Sequence, residues 1–453
     1  MKNKLVLACT LATLAGTASL GETAGLKVNE QGGKAMAMGN AFTAQADDPS
    51  ALFYNPAGIA FLKGAQVSLG STTIYVPSTE FTGTTPLSGN APLAVGSDSV
   101  FEKSKRDIFI APALYATYSF EGMPISVGLA VNAIYPLAKS WDDSSAFRNQ
   151  IMNIAVKPIN FQPTVAYRFD DWNLSVGAGL DITHAIVTMQ TSAHSPVIDP
   201  NNPAPPFGAY ELGNMGLDAT ATDVGYNLGI LWKPRKDLSF GVAYRSEISL
   251  KLEGDANFLA TTPTGLGAIG FPTSAVFPYS RSRATSAVSS TVVLPDSFAV
   301  GVAWMPTDKL TLEFDAERTG WSSLKSLEFK FDSPQFANFN GKPKPLEWED
   351  VWAYKVGGQY ALNKNLDLRA GYMYDTNPIP DSTLGPLLPD ADRHSFSIGQ
   401  GIHNDIFSLD LAYMWTRFVD RTVNNQNATT LLGENGTFKS DAHLFGGSIT
   451  VKF

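Results

Sequence analysis

The sequence predicts an all-β chain, a fourteen-stranded antiparallel transmembrane β-barrel with a small helical N-terminal hatch plugging the lumen. Three observations lead there. The last residues alternate strictly between apolar or small and polar or small side chains. Similar alternating segments recur back to Gln66, with gaps that are alternately short and long. Residues 24–64, ahead of the first strand, do not alternate at all.

The closing strand is the clearest. Phe445, Gly447, Ile449, Val451 and Phe453 fall on one face; Gly446, Ser448, Thr450 and Lys452 fall on the other. A period of two places one face against something apolar and the other against something wet. An aromatic carboxy-terminus on such a strand resembles the recognition strand of bacterial outer-membrane barrels, which implies that Phe453 is an assembly signal read by the barrel assembly machinery. The alternative is an ordinary final strand of a soluble sandwich.

The amino-terminus reads as an export signal over 1–23. Lys2 and Lys4 are followed by an apolar or small run over 5–20, with cleavage between Ala18 and Ala24. That run is too short for a membrane-spanning helix. Cys9 is the single cysteine; lipoprotein cleavage before it would leave almost no signal. The mature chain therefore has no disulfide framework and no thiolate chemistry. A mean hydropathy near zero fits a soluble protein, but equally a barrel that averages a lipid face with a wet lumen. The net charge of -9 and the lack of a basic stripe argue against nucleic acid as a partner. No linker divides 65–453, which is read as one barrel.

Candidate strands lie at 65–76, 108–120, 124–135, 152–169, 172–189, 217–232, 237–253, 286–305, 309–321, 347–361, 364–376, 390–403, 406–419 and 438–453. The gaps at 121–123, 170–171, 233–236, 306–308, 363 and 404–405 are tight polar turns. Those at 77–107, 136–151, 190–216, 254–285, 322–346, 377–389 and 420–437 are long and rich in Pro, Gly, Asn and Ser. Short periplasmic turns, long outer loops and an even strand number suit an outer-membrane barrel. Leu174, Val176, Ala178 and Leu180 would face lipid, against Ser175, Gly177, Gly179 and Asp181. Likewise Leu310, Leu312, Phe314 and Ala316 oppose Thr311, Glu313, Asp315 and Glu317. A dry core would not take three acids on one strand face without partners, whereas a hydrated lumen would. Trp172, Trp232 and Trp304 each sit beside a short turn, where an aromatic girdle belongs.

Fourteen strands enclose a lumen wide enough to leak unless it is filled. The segment 24–64 supplies the plug. Within it, 34–44 reads as a short helix carrying Met36, Met38 and Phe42. Asp48-Pro49 reads as a second helix start, stopped by Asn55-Pro56.

Ala24-Gly25-Leu26, Asn29-Glu30, Gly39-Asn40-Ala41, Asp47-Asp48-Pro49-Ser50-Ala51 and above all Asn55-Pro56-Ala57-Gly58 resemble the N-terminal hatch of the FadL/TodX family. The resemblance continues through Leu294-Pro295-Asp296, Leu368-Arg369-Ala370-Gly371-Tyr372, Pro378, Pro380 and Pro389-Asp390-Ala391-Asp392-Arg393 to Phe453. It implies passive outer-membrane transport of long-chain fatty acids or aromatic hydrocarbons, without cofactor, metal or catalysis. The steps it implies are capture by outer loops, transfer to a lumen pocket, movement of a hatch held at Asn55, Pro56, Ala57 and Gly58, and lateral exit through the wall. In the family a kink in the third strand opens that exit. Here the third strand runs into Tyr135-Pro136, so Pro136 is placed at the gap, the alternative being a strand that ends at its loop. The implied partners are a hydrophobic small molecule and, around the barrel, outer-membrane lipid and lipopolysaccharide.

Local chemistry can be set beside those steps. Phe258, Leu259, Leu266, Ile269, Phe271 and Phe277, with Phe207 from the preceding loop, are too apolar for loops that meet only water. They form a candidate capture groove, or else pack on one another as a lid. Arg245, Arg369 and Arg393 are candidate carboxylate-binding residues of the lumen, unless they simply pair with lumen acids. Other signals carry no function. The glycines of 265–270 have dinucleotide spacing but no strand-to-helix unit around them. His184, His194, His394, His403 and His443 show no ligand spacing, and no nucleophile elbow is present. The rival functions are a lipase-like barrel enzyme, which needs a Ser/His/acid set at one rim, and a general porin.

Overall fold

A computed structural model describes residues 27–88, 96–197, 208–260, 283–427 and 430–453. The proposed signal segment, Phe207, Leu266, Ile269, Phe271 and Phe277 lie outside the described residues.

The wall is built from fourteen antiparallel strands. In order they are β1 (Ala65–Val76), β2 (Asp107–Ser119), β3 (Ile125–Asn132, resuming at Leu137–Ser140), β4 (Asn153–Phe169) and β5 (Leu174–Val197). Next come β6 (Gly208–Arg235), β7 (Leu238–Arg245, resuming at Ile248–Ala260) and β8 (Arg283–Leu294, resuming at Ser297–Thr307). The circuit continues with β9 (Leu310–Thr319), β10 (Val351–Asn363), β11 (Leu366–Asp375), β12 (Arg393–His403), β13 (Phe407–Phe418) and β14 (Asp441–Lys452). Each strand pairs with its sequence neighbour, and β14 pairs with β1 from His443↔Tyr75 to Lys452↔Gln66. Closure removes the unpaired edge that lipid cannot satisfy.

The period-two pattern sorts the faces. On β9, Leu312 and Phe314 are exposed while Glu313, Asp315 and Glu317 are buried; on β5, Val176 and Leu180 are exposed while Ser175 and Asp181 are buried. An outward surface that would be a liability in water is what a lipid-facing wall requires. Trp172, Trp232 and Trp304 are all exposed at the short-turn end.

Two sequence expectations about length need correcting. Much of the loop read at 190–216 and both ends of the one read at 254–285 are strand: β5 reaches Val197, β6 begins at Gly208, β7 reaches Ala260 and β8 begins at Arg283. Phe258 therefore lies on a strand, facing inward and buried, while its neighbour Leu259 is exposed. Beyond the lipid band the outer face of a strand meets polar surroundings, so the ladder persists after the apolar alternation has faded. The outer loops also hold a four-stranded sheet, Arg421–Asn424, Asn435–Lys439, Glu80–Thr84 and Val100–Lys103. Phe81 and Phe438 of this cap pack together and on Phe147, with ring centroids 4.7 to 6.1 Å apart.

The hatch is also less helical than its sequence suggests. The first helix, α1, is only Gly33–Ala37, because Gly39 (φ 66°) and Asn40 (φ 61°) turn left-handed instead of continuing to 44. Asp48 Oδ1 accepts the Ser50 N–H at 2.7 Å ahead of α2 (Ala51–Tyr54). Asn55 Oδ1 then caps a 3₁₀ turn, Pro56–Phe61, by accepting the Ala57 N–H.

Under the cap, Glu434 is fully buried with one oxygen bonded to Gln150 Nε2 at 2.6 Å and the other without a hydrogen-bond partner among the described residues. Burial pushes its carboxyl up to about 8, against the opposing pull of Gln150 and the Lys344 charge. An acid raised on folding adds stability that is complete below the ordinary carboxylate range and is lost as pH climbs through the raised value. Amide exchange in the four cap strands is therefore expected to quicken from about pH 5 to about pH 9 beyond its intrinsic pH dependence, and Glu434→Gln should remove that excess.

Candidate functional site

The site is the contact between hatch and wall, together with the space above it. The hatch is seated chiefly by backbone groups. Two carboxylates of β9 receive four successive hatch amides: Asp315 Oδ2 accepts from the Phe42 and Thr43 N–H groups at 2.9 Å each. Glu313 Oε1 accepts from Ala44 at 2.6 Å and from Gln45 at 3.2 Å. These acids do not stand in a hydrated lumen, as their sequence pattern suggested. The non-helical turn that follows Asn40 leaves its amides free, and the carboxylates take the place of the missing intrachain acceptors. Two residues on, Glu317 binds both Lys27 of the hatch and Lys355 of β10, the latter at 2.5 Å.

The Asn55-Pro56-Ala57-Gly58 turn is fully buried. Asn55 Nδ2 donates to Thr43 O within the hatch at 2.8 Å and to Ile230 O on β6 at 3.0 Å, and Ser175 Oγ on β5 donates to Ala57 O at 2.8 Å. Against this turn the wall presents a cross-strand pair of glycines, Gly177↔Gly229. A Cβ on Gly229 would meet Asn55 Oδ1 at 2.2 Å, and one on Gly177 would meet the Pro56 carbonyl carbon at 2.5 Å. Only glycine permits this approach of two backbones.

Further round, Thr72 on β1 donates to Glu30 O, Tyr115 on β2 donates to Gln31 O, and Gly39 N–H donates to Ser397 Oγ on β12. The strand β3 breaks at 133–136 and is held there by the hatch. Val28 N–H donates to Ile134 O at 2.8 Å, and Gln31 Nε2 donates to Ala133 O at 2.7 Å. The strand does not end at Pro136; it resumes at Leu137. On one side it has one more residue than β4 needs between Asn132↔Asn160 and Leu137↔Val156, a bulge. On the other side, β2 pairs with β3 only from Ala113 to Ser119, and residues 109–112 have ladder partners on β1 alone among the described residues. Lys105 N–H to Ser140 O, 2.8 Å, closes the top of this opening in the same register. Tyr135 points inward, its hydroxyl donating to Pro295 O at 3.2 Å and its ring packing edge-on against Trp321.

Above the hatch lies a cavity of about 100 Å³ whose lining side chains are all apolar. Leu137, Ile154 and Val156 contribute from β3 and β4, Leu217, Leu250 and Leu294 from β6 to β8, and Leu324, Trp348 and Leu388 from the outer loops. The three arginines named from sequence stand elsewhere, each paired. Arg245 binds Asp181 and the Phe53 carbonyl of the hatch. Arg369 binds Asp410 at 2.6 Å and Asp367 at 3.1 Å, and Arg393 binds Asp375. None lines the apolar cavity. The carboxylates of β9, the glycine pair and the contacts of Val28 and Gln31 with the β3 break carry no sequence label. The one available signal was the clustering of three inward acids on a strand.

A sequence profile described as outer membrane protein transport protein (OMPP1/FadL/TodX) matches residues 14–453. A putative outer membrane protein of Neisseria meningitidis serogroup B is 27% identical, over 95% of this chain and 94% of its own length. A long-chain fatty acid transport protein of Escherichia coli O6:H1 is 25% identical, over 95% of each. Among solved structures, a Pseudomonas aeruginosa FadL homologue superposes with a TM-score of 0.78 at 21% identity, covering 96% of this chain and all of its own. The Pseudomonas putida toluene transporter TodX gives 0.68 at 16%, covering 94% and 99%. The closed fourteen-stranded barrel and the profile match over nearly its whole length lead to one conclusion: the chain belongs to the OMPP1/FadL/TodX family of outer-membrane transport proteins.

Proposed function

We propose that this outer-membrane protein passes hydrophobic compounds, long-chain fatty acids or similar molecules, inward by passive diffusion through a gated wall. Outer loops capture the molecule, the apolar cavity receives it, the hatch shifts, and the molecule leaves sideways between β2 and β3. The observation that carries this reading is the position of the β3 break. It lies between the apolar cavity, which Leu137 lines, and the hatch, which bonds its carbonyls through Val28 and Gln31. A shift of the hatch amino-terminus would release those carbonyls and loosen the margin of the opening. Relatives are named for long-chain fatty acids and for toluene. An all-apolar cavity suits the hydrocarbon part of either, and a carboxylate left there unpaired would cost several kcal/mol.

Gating rests on the hatch seat, so the carboxylates of β9 are the place to weaken it. Glu313→Ala with Asp315→Ala strands buried amides at roughly 1–3 kcal/mol each. The expected outcome is faster hydrogen exchange at residues 42–45 and steady ion currents in planar bilayers, with the barrel still inserted; currents as small as those of the parent would remove the latch.

Exit through the wall is tested by closing it. Cysteines at Ala111 and Ile134, opposite one another in the shared register, should abolish oleate and toluene uptake when oxidised and restore it when reduced. Undiminished uptake with the bridge formed would sink the lateral route.

A further inference from the structure

The wall is interrupted again between β6 and β7. Strand β7 is broken at Ser246-Glu247 and β8 at Pro295-Asp296. The two breaks are level, because Arg245 faces Ser297 below them and Ile248 faces Leu294 above. Pro295 has no N–H to give to a ladder. The paired outer segments Ile248–Ala260 and Arg283–Leu294 therefore form a ribbon that meets the lower wall through two short joints.

On the β6 side the consequence is a window. The ladder runs up to Arg245↔Asn227, stops, and resumes at Glu253↔Thr220 with its register moved by one residue. Residues 221–226 and 246–252, all of them described, form no ladder pair with one another. Ser246 N–H donates to Tyr226 O at 2.8 Å and Tyr226 N–H donates to Ser246 Oγ at 2.9 Å at the lower corner. Above that corner the Ile248 side chain lies against Gly225, where a Cβ would stand 2.7 Å from Ile248 Cγ1. Both margins are otherwise firm, since 221–226 pair fully with β5 and 248–252 pair fully with β8.

The window sits where two environments meet. Val224 and Tyr226, exposed on the outer face of β6, are the top of its lipid-facing apolar run, and Thr222 and Thr220 above them are polar. On β7 the exposed residues beside the window are Glu247, Ser249 and Lys251. This level is the boundary between acyl chains and headgroups of the outer leaflet. Directly behind it, Leu250 and Leu252 line the apolar cavity.

We propose that this window is a side port, through which small hydrocarbons dissolved in the outer leaflet reach the cavity without passing the capture loops. Ile248 is its plug, and its flap is the stretch 246–252, which has no ladder to β6 until Glu253. Opening needs few hydrogen bonds to break, because the ladder that would resist it is missing. The port rests on the transport reading given above and adds a membrane-side inlet to it.

The test uses the full chain in cells, with Val224→Cys and Ser249→Cys, which face each other in the shifted register. Naphthalene is supplied from preloaded outer-membrane vesicles. Oxidation is expected to abolish its uptake and dithiothreitol to restore it. Equal uptake by oxidised and reduced protein overturns the port alone, whereas a reduced protein that takes up none overturns the transport reading and the port with it. Separately, Ile248→Ala should accelerate the same uptake and Ile248→Trp slow it; no change in either counts against the plug.

Discussion

The seating of the hatch depends on how four of its backbone amides are satisfied. A plug inside a barrel cannot rely on a hydrophobic core of its own, since it is too short to bury one. It must be held by the wall, and the wall holds it with Asp315 and Glu313, which accept the N–H groups of residues 42–45. Charge-assisted bonds of this kind are strong, yet they are made to a segment that could be rehydrated. That is the compromise the proposed gate requires. Were the same segment helical through residue 44, its amides would be satisfied internally and the carboxylates would have no reason to be buried there.

The second constraint is the continuity of the wall. A barrel in lipid tolerates a missing ladder only where protein or water takes over the exposed backbone groups. At the β3 break the hatch does so, through Val28 and Gln31. At the joint of β8 the Tyr135 hydroxyl does so, bonding the carbonyl of Pro295. Tyr135 itself belongs to the β3 break, so one side chain spans the lumen between two interrupted strands. The apolar cavity lies among these elements, with Leu137 just beyond one break and Leu294 just before the other.

Much of this architecture was legible in the chain. Strand number, closure order and the inside-outside assignment all follow from a period of two, because Leu312 and Phe314 cannot share a face with Glu313 and Asp315. The hatch was legible as a segment without that period, and Asn55-Pro56-Ala57-Gly58 as its turn. Strand length outside the membrane was not, since Glu211 or Asn214 on β6 carries no apolar signal although the ladder continues through it. Nor was the hatch seat. It joins backbone amides to carboxylates more than 260 residues away, and neither a backbone amide nor the glycine pair that admits Pro56 leaves a pattern that spacing can reveal. Nor does a sequence show which acids stand beside the lumen arginines; Asp181, Asp375 and Asp410 do.

On the proposed route the hatch must move for a hydrophobic molecule to cross. The most direct measurement pins it. A cysteine pair at Val28 and Ile134, already joined by a 2.8 Å backbone hydrogen bond, would tether the hatch amino-terminus to the β3 break. Uptake of radiolabelled oleate and toluene by cells carrying this variant is then followed with the bridge formed and after its reduction. Transport should stop with the tether closed and return when it is cut. Equal transport in both states would contradict that route.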